Sequence, residues 1–215
     1  MTKAVLWDLD GVLADTAASH FEAWRQLFAS LGKGFDEESF KRTFGLRNDA
    51  VLREVLEAIG PDEMERLSGR KDELYRSLIE GNLSPLAGVE RLLGYLAARG
   101  TKMAVVTSTA RENVRLILAS LGLDGYFGTV VSGEDVTRGK PDPQGFLLAA
   151  ERLGVSPADC LVIEDAPDGI EAGRRAGMSC VGVATTHPAE TLAHADLVVG
   201  GLEAPALYKL LDRSL

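Results

Sequence analysis

The chain has 215 residues, room for one α/β domain with an insertion, and 46% of them are hydrophobic, as in an ordinary globular protein. A formal net charge of −9, without any basic run, argues against a general nucleic-acid or anionic-membrane surface. Charged residues at the start run straight into a strand-like segment and no apolar stretch has the length of a membrane span, so a signal peptide and a membrane anchor are not expected and the chain reads as soluble and cytoplasmic.

Ala4-Val5-Leu6-Trp7 is an apolar run of strand character that leads into Asp8-Leu9-Asp10-Gly11. Residues 16–31 then carry His20, Phe21, Trp24, Leu27, Phe28 and Leu31 at helical spacing, and Gly32 and Gly34 stop that helix. Asp36 reads as the N-cap of a short helix running to Phe44. Asn48 or Asp49 opens another, with Val51, Leu52, Val55, Leu56 and Ile59 on its apolar side, until Gly60-Pro61 breaks it. A charged helix follows over residues 62–80, ended by Gly81.

At Ser84-Pro85-Leu86-Ala87-Gly88 the character changes. Helical patterns over residues 89–99, 111–121, 143–153, 170–176 and 203–211 alternate with β-branched runs over 102–106, 129–131, 160–163, 180–184 and 197–199. Short strands alternating with helices predict a parallel sheet covered on both faces. The fold class expected is α/β: a doubly wound, Rossmann-like core of residues 1–15 and 86–215 with an inserted all-α helical cap of residues 16–85. Chain crossings near residues 15 and 85 suit a hinged lid over the strand ends. Cys160 and Cys180 each open an apolar run and read as buried, reduced thiols.

In an open parallel sheet, ligands bind beyond the carboxyl ends of the strands. Asp8 and Asp10, two apart in extended backbone, can aim at one point there, and Gly11 lets the chain turn sharply behind them. Thr107 and Ser108 end a second strand, Glu164 and Asp165 end a later one, and Lys140 precedes a helix within Arg138-Gly139-Lys140-Pro141-Asp142-Pro143. Carboxylates gathered so closely call for a cation, and hard oxygen donors suit Mg²⁺. The inventory fits phosphoryl transfer. Mg²⁺ on Asp8, Asp165 and Glu164, together with Lys140, would offset the charge of a phosphate dianion, and Thr107 would donate to a phosphoryl oxygen. Asp8 is placed to attack phosphorus, and Asp10 to serve as general acid and base.

Asp8-Leu9-Asp10-Gly11-Val12, Val105-Val106-Thr107-Ser108, Gly139-Lys140-Pro141-Asp142-Pro143 and Ile163-Glu164-Asp165-Ala166-Pro167-Asp168-Gly169-Ile170 resemble, in order and spacing, the four motifs of the haloacid dehalogenase-like superfamily. The resemblance implies Asp8 as nucleophile, Asp10 as general acid/base, Thr107 and Lys140 as phosphate ligands, and Asp8, Glu164, Asp165 and the backbone carbonyl of Asp10 around Mg²⁺. Dehalogenases of the superfamily lack the second acid, so Asp10 argues for phosphoryl transfer. The helical insertion is similar to the cap of the β-phosphoglucomutase-like branch. Ala17-Ala18-Ser19-His20-Phe21-Glu22-Ala23-Trp24 matches a stretch whose histidine positions the general acid and whose tryptophan lies near the sugar, and Lys71 falls where the mutase has a cap lysine. The departure is Phe44-Gly45-Leu46-Arg47-Asn48-Asp49. The mutase has a basic residue in place of Phe44 and a phosphate-binding arginine near Asn48, and Arg47 stands one position away.

The substrate-contact candidates are therefore Ser108, His20, Trp24, Arg47 and Lys71. On the residues alone, His20 and Trp24 serve equally as packing on an apolar helix face, and Lys71 as a solvated lysine in a charged helix. Asp168 reads as a helix cap, and Arg174-Arg175 as exposed surface. The expected function is a Mg²⁺-dependent phosphatase of a small phosphorylated metabolite, such as a sugar phosphate, acting through an aspartyl phosphate. The alternative is a β-phosphoglucomutase-type isomerase. A phospho-acceptor signalling module gathers similar groups but is shorter and has no insertion after its first strand. A small core with its own lid is compatible with a monomer that takes a small phosphate ester and neither nucleic acid nor membrane as partner.

Overall fold

A computed structural model describes residues 1–56 and 58–214. The chain opens with β1 (Ala4–Trp7) and then runs through α1 (Ala17–Ser30), α2 (Glu37–Thr43), α3 (Asn48–Val55) and α4 (Pro61–Ile79). From there α5 (Val89–Ala97), β2 (Lys102–Val106), α6 (Arg111–Ser120), β3 (Thr129–Val131), α7 (Gln144–Leu153), β4 (Cys160–Glu164), α8 (Pro167–Arg175), β5 (Ser179–Val183), β6 (Leu197–Val199) and α9 (Pro205–Ser214) alternate. The strands form a six-stranded sheet in the order β3-β2-β1-β4-β5-β6, every neighbouring pair parallel. Strand order reverses between β1 and β4, and the crevice beyond their carboxyl ends is where this topology binds ligands.

Side chains that alternate along each strand meet two separate apolar layers. Val5 and Trp7 pack with Val105, Ile163 and Val181 under α5, α6 and α9. Ala4 and Leu6 pack with Ala104, Val162 and Cys180 under α7 and α8. This double cover explains why the strands read as unbroken apolar runs. The cap has a core of its own, in which Trp24, Leu27 and Phe28 of α1 meet Phe35, Val51, Leu52 and Leu67. The two crossings into the cap lie side by side: Leu86 N–H donates to Leu13 O at 3.1 Å, and Asp15 N–H to Ser84 O at 3.3 Å.

Some expected details are corrected. The third cap helix ends at Val55, because Leu56 turns to extended backbone; Leu56 and Ile59 still pack on the cap core, from the following loop, and residue 57 lies outside the described residues. Helix α8 begins at Pro167, where a missing N–H costs nothing, so Asp168 is an exposed second helical residue and not the cap. Helix α9 is shifted two to three residues towards the C-terminus of the pattern that announced it. Asp36 caps α2 as expected, accepting from Ser39 N–H at 2.8 Å. Cys160 and Cys180 are free and buried, and burial pushes their thiols up to about 11 and about 12. No described helix is long and apolar enough to cross a membrane.

Candidate active site

At the end of β1, Asp8 N–H still donates to Ile163 O at 3.0 Å, so the first acid is fixed by the sheet ladder itself. The chain then turns back, with Leu9 O accepting from Leu13 and Ala14 N–H at 2.9 and 3.0 Å. Gly11 makes the turn with φ +80°, and a Cβ there would run into the Asp165 carboxylate and Thr186. Both the backbone angle and the close approach require glycine.

Asp8, Asp10, Glu164 and Asp165 are all buried at this edge. Lys140 reaches between two of them, donating from Nζ to Asp8 Oδ1 at 2.5 Å and to Glu164 Oε1. The other Glu164 oxygen accepts the backbone N–H groups of Asp165 and Ala166, each at 2.8 Å. Gly169 leaves the room for this, since a Cβ there would overlap the Glu164 carboxylate. The Thr186 hydroxyl donates to Asp165 Oδ2.

Asp10 is held from both sides of the cleft. Its Oδ1 accepts from Thr16 Oγ1 at 2.6 Å and meets His20 Nε2 at 3.1 Å, and its Oδ2 accepts from Thr109 Oγ1 at 2.6 Å. Thr16 stands at the N-cap position of α1 but makes no capping bond, its hydroxyl being spent on Asp10. His20 Nδ1 lies 2.9 Å from Lys71 Nζ. An ammonium only donates, so Nδ1 accepts and the Nε2–H donates to Asp10. The His20 ring stacks on Tyr75 at 4.0 Å between centroids.

Lys71 is only 2% exposed, which corrects its reading as a solvated lysine. Its ammonium lies 5.3 and 4.9 Å from the Trp24 and Tyr75 ring centroids and 3.7 Å from Asp72 Oδ1. Cation–π attraction and a carboxylate stand in for the lost water.

Burial pushes Asp8 up to about 8; Lys140 opposes this, while Glu164 and Asp10 add to it. Burial, Glu164 and Asp8 likewise hold Asp165 well above the usual carboxylate range. For Asp10, burial also works upward, but His20, Thr109 and Thr16 outweigh it and keep the acid below its ordinary value. Burial first, then Lys71, pulls His20 down, in keeping with a neutral ring. Lys140 is the reverse case: burial disfavours its charge, and Asp8 and Glu164 prevail to raise it.

A cleft lies between cap and core, lined by Asp8, Asp10, His20, Trp24, Lys71, Thr107 and Ser108 of the expected residues, and also by Phe44, Asn48 and Asp72. Arg47 and Lys140 line a smaller neighbouring cleft, which Thr107 and Ser108 share. Arg47 crosses to the core there, donating from Nη1 to Val136 O at 2.7 Å, and pairs with Asp49 at 3.2 Å. The Thr107 hydroxyl accepts from Thr109 N–H at 3.1 Å. Sequence reasoning missed Thr16, Thr109, Asp72 and Thr186. Thr16 and Thr109 carried a signal, lying within a few residues of the first two motifs; nothing local marked Thr186.

Among the described residues, no three acids, histidines or cysteines are arranged as a finished metal cage. The chemistry of the donors still fits a hard divalent cation. Asp8 and Asp165 are buried oxygen donors whose surroundings oppose their charge, the situation a divalent ion relieves. Glu164, as placed, turns its oxygens to Lys140 and to backbone N–H groups.

Four buried acids and a lysine gathered at the strand ends of such a sheet are the setting of a phosphoryl-transfer enzyme. The chain belongs to the haloacid dehalogenase-like hydrolases, whose family model matches residues 2–177. Within that family it is similar to the β-phosphoglucomutase of Bacillus subtilis (strain 168), with 39% identity over 206 residues, 92% of this chain and 88% of the relative. It is also similar to the validoxylamine A 7′-phosphate phosphatase of Streptomyces hygroscopicus subsp. limoneus, with 35% identity over 94% of this chain and 95% of the relative. Among solved structures, the β-phosphoglucomutase of Clostridium difficile superposes with a TM-score of 0.91 at 31% identity, covering 100% of this chain and 97% of that one.

Proposed function

We propose that the protein is a Mg²⁺-dependent phosphomonoester hydrolase of a small phosphorylated metabolite, a carbohydrate phosphate being the class that the relatives favour. The observation that carries hydrolysis over mutase transfer is the cap wall. A bisphosphate intermediate needs a second anion site in the cap, yet Phe44 and Asn48 line the cleft. Lys71 is spent on His20 and Asp72, and Arg47 is turned to the Val136 carbonyl. The mutase reading is kept as the alternative because the Lys71–His20–Asp10 relay and the Bacillus subtilis relative favour it.

In this reading Asp8, Asp165 and the Asp10 carbonyl hold Mg²⁺, with Glu164 supporting them through the loop and Lys140. Bound there, the ion supplies positive charge that lets a phosphate dianion approach a carboxylate. Lys140, Thr107 and Ser108 grip the phosphoryl oxygens. An Asp8 oxygen attacks phosphorus, the ester P–O bond breaks, and Asp10 delivers a proton to the leaving oxygen. The incoming dianion raises the pKa of Asp10, as any like charge does, so Asp10 takes up a proton from solvent as the ester binds and holds it for the leaving oxygen. Asp10 then takes a proton from water, the water oxygen attacks the aspartyl phosphate, and phosphate leaves with Asp8 restored. His20, oriented by Lys71, keeps Asp10 aimed throughout. Free buried thiols support a reducing cytoplasmic setting.

The test is one reaction: protein, Mg²⁺ and β-glucose 1-phosphate with a trace of β-glucose 1,6-bisphosphate, followed for inorganic phosphate and glucose 6-phosphate together. Phosphate alone supports hydrolysis and directs a metabolite panel to the best ester. Glucose 6-phosphate without phosphate makes the protein a mutase. Activity that survives Asp8→Asn removes the covalent mechanism.

A further inference from the structure

Among the described residues that line the cleft, Asp72 is the one acid contributed by the cap, and it is not alone there. Its Oδ2 accepts from Asn48 Nδ2 at 3.1 Å, and both residues line the cleft. Its Oδ1 accepts from Asn113 Nδ2 at 3.0 Å. Asn113 belongs to the core, on α6, is fully buried, and stands outside the lining of the cleft. Its carbonyl Oδ1 accepts from Arg76 Nη1 at 3.0 Å, and Arg76 also pairs with Glu112 of α6 at 3.0 Å. Asp72 and Arg76 lie one turn apart on α4, so both ends of a single core amide are satisfied by the cap.

We propose that Asn113 is a positioning residue for leaving-group recognition: it locks Asp72 into a subsite with Asn48 only when the cap is seated, so the pocket for a neutral, hydroxyl-bearing leaving group is completed by closure. This rests on the phosphomonoesterase reading above.

The chemistry follows from hydrogen-bond capacity and charge. Each carboxylate oxygen accepts about two hydrogen bonds. Each oxygen of Asp72 receives one from an amide among the described residues, and Oδ1 also forms the longer ion pair with Lys71 at 3.7 Å. The capacity left over suits O–H donors. The free acceptor sites of this carboxylate are filled by hydroxyl donors and cannot be filled by a second phosphate or carboxylate on the leaving group, which brings acceptors only. Asn113 is the core group through which the seated cap holds Asp72, its Nδ2 donating to Asp72 and its Oδ1 accepting from Arg76; with the cap lifted, water takes the place of both and Asp72 loses this anchor. Closure that assembles a recognition site is induced fit, and it discriminates most strongly when the site hydrogen-bonds the substrate.

The experiment compares wild type, N113A, N113D and the exchange D72N/N113D on two kinds of ester. One is the best substrate from a panel of hexose and pentose monophosphates. The other is p-nitrophenyl phosphate, whose leaving group has no hydroxyl. In N113A, KM for the sugar ester rises about tenfold with kcat held, the size of one lost hydrogen bond to a charged group, while p-nitrophenyl phosphate moves by less than about twofold. N113D sets two carboxylates against each other and lowers the preference further. The exchange again places a donor against an acceptor, keeps the Arg76 pairing, and recovers preference relative to N113D. Equal losses on both esters, an unchanged preference in N113A, or an exchange no better than N113D overturns the inference and leaves the phosphatase reading standing. A wild type that prefers p-nitrophenyl phosphate to every sugar ester also overturns it. A wild type inactive on all esters brings down both.

Discussion

Asp10 and Gly169 show how single positions carry this site. Asp10 has bonds from Thr16, His20 and Thr109, so Asp10→Asn keeps the size of the group and can keep part of that network while losing the transferable proton. General acid–base catalysis contributes about 10²–10⁴ in rate. The expected outcome is a kcat loss of that order on alkyl phosphates, whose leaving alkoxide needs the proton. The loss should be far smaller on p-nitrophenyl phosphate, whose leaving phenolate does not, when the first chemical step is read by single turnover. Equal losses on the two esters would deny Asp10 the role of acid. Gly169 lies in the first turn of α8, where alanine would ordinarily add about 1 kcal/mol of helix stability. Its Cβ would overlap the Glu164 carboxylate, so Gly169→Ala must displace Glu164 from Lys140 and from the N–H groups of Asp165 and Ala166. Urea denaturation should show a loss of about 1–3 kcal/mol, the cost of leaving such buried groups unmatched, in place of the gain.

At the scale of elements, the turn after β3 ties the sheet edge to two helices. Asp135 accepts from Ser132 N–H at 2.9 Å and Oγ at 2.7 Å, from Arg152 of α7 at 2.7 Å, and lies 3.1 Å from Arg111 of α6. Burial alone would raise its pKa, but Arg152, Ser132 and Arg111 outweigh that and hold it well below the usual carboxylate range. A native pKa below the unfolded value of about 3.9 means that the folded chain releases this proton more readily. Its stabilisation is therefore fully present above about pH 5 and is lost as pH falls through the acid range. Asp135→Asn should cost about 1–3 kcal/mol at neutral pH, the value of hydrogen bonds to a charged group. The gap between variant and wild type should close as unfolding is repeated at progressively lower pH. A gap independent of pH would mean that shape, not charge, holds the turn.

For the molecule as a whole, the functional edge was legible because each motif group ends a strand: β1 delivers Asp8, β2 is followed by Thr107, and β4 ends at Glu164, all at the switch point of the sheet. The links between cap and core were not legible. Lys71 and His20 are 51 residues apart, Asp72 and Asn113 are 41 apart, and no local pattern announces such a meeting. The helix carrying Lys71 looked solvated because its charges repeat all around it, whereas burial was decided by Trp24, Tyr75 and Asp72. The same assembly leaves Asp8 and Asp165 buried with their charges opposed, Asp8 by burial, Glu164 and Asp10, and Asp165 by burial, Glu164 and Asp8, with Lys140 as the cation beside Asp8. An ion that binds this arrangement only in the folded chain adds stability by mass action, about 2.7 kcal/mol at a hundredfold excess over Kd. At about 2–4 °C per kcal/mol for a chain of this size, saturating Mg²⁺ should raise Tm by about 5–10 °C over the chelated protein. Asp165→Asn removes one of the two opposed charges. Without metal it should melt no lower than the wild type, and on adding Mg²⁺ it should gain little. A wild type indifferent to Mg²⁺, or a variant that keeps the full shift, would strip Asp8 and Asp165 of the role of holding the cation.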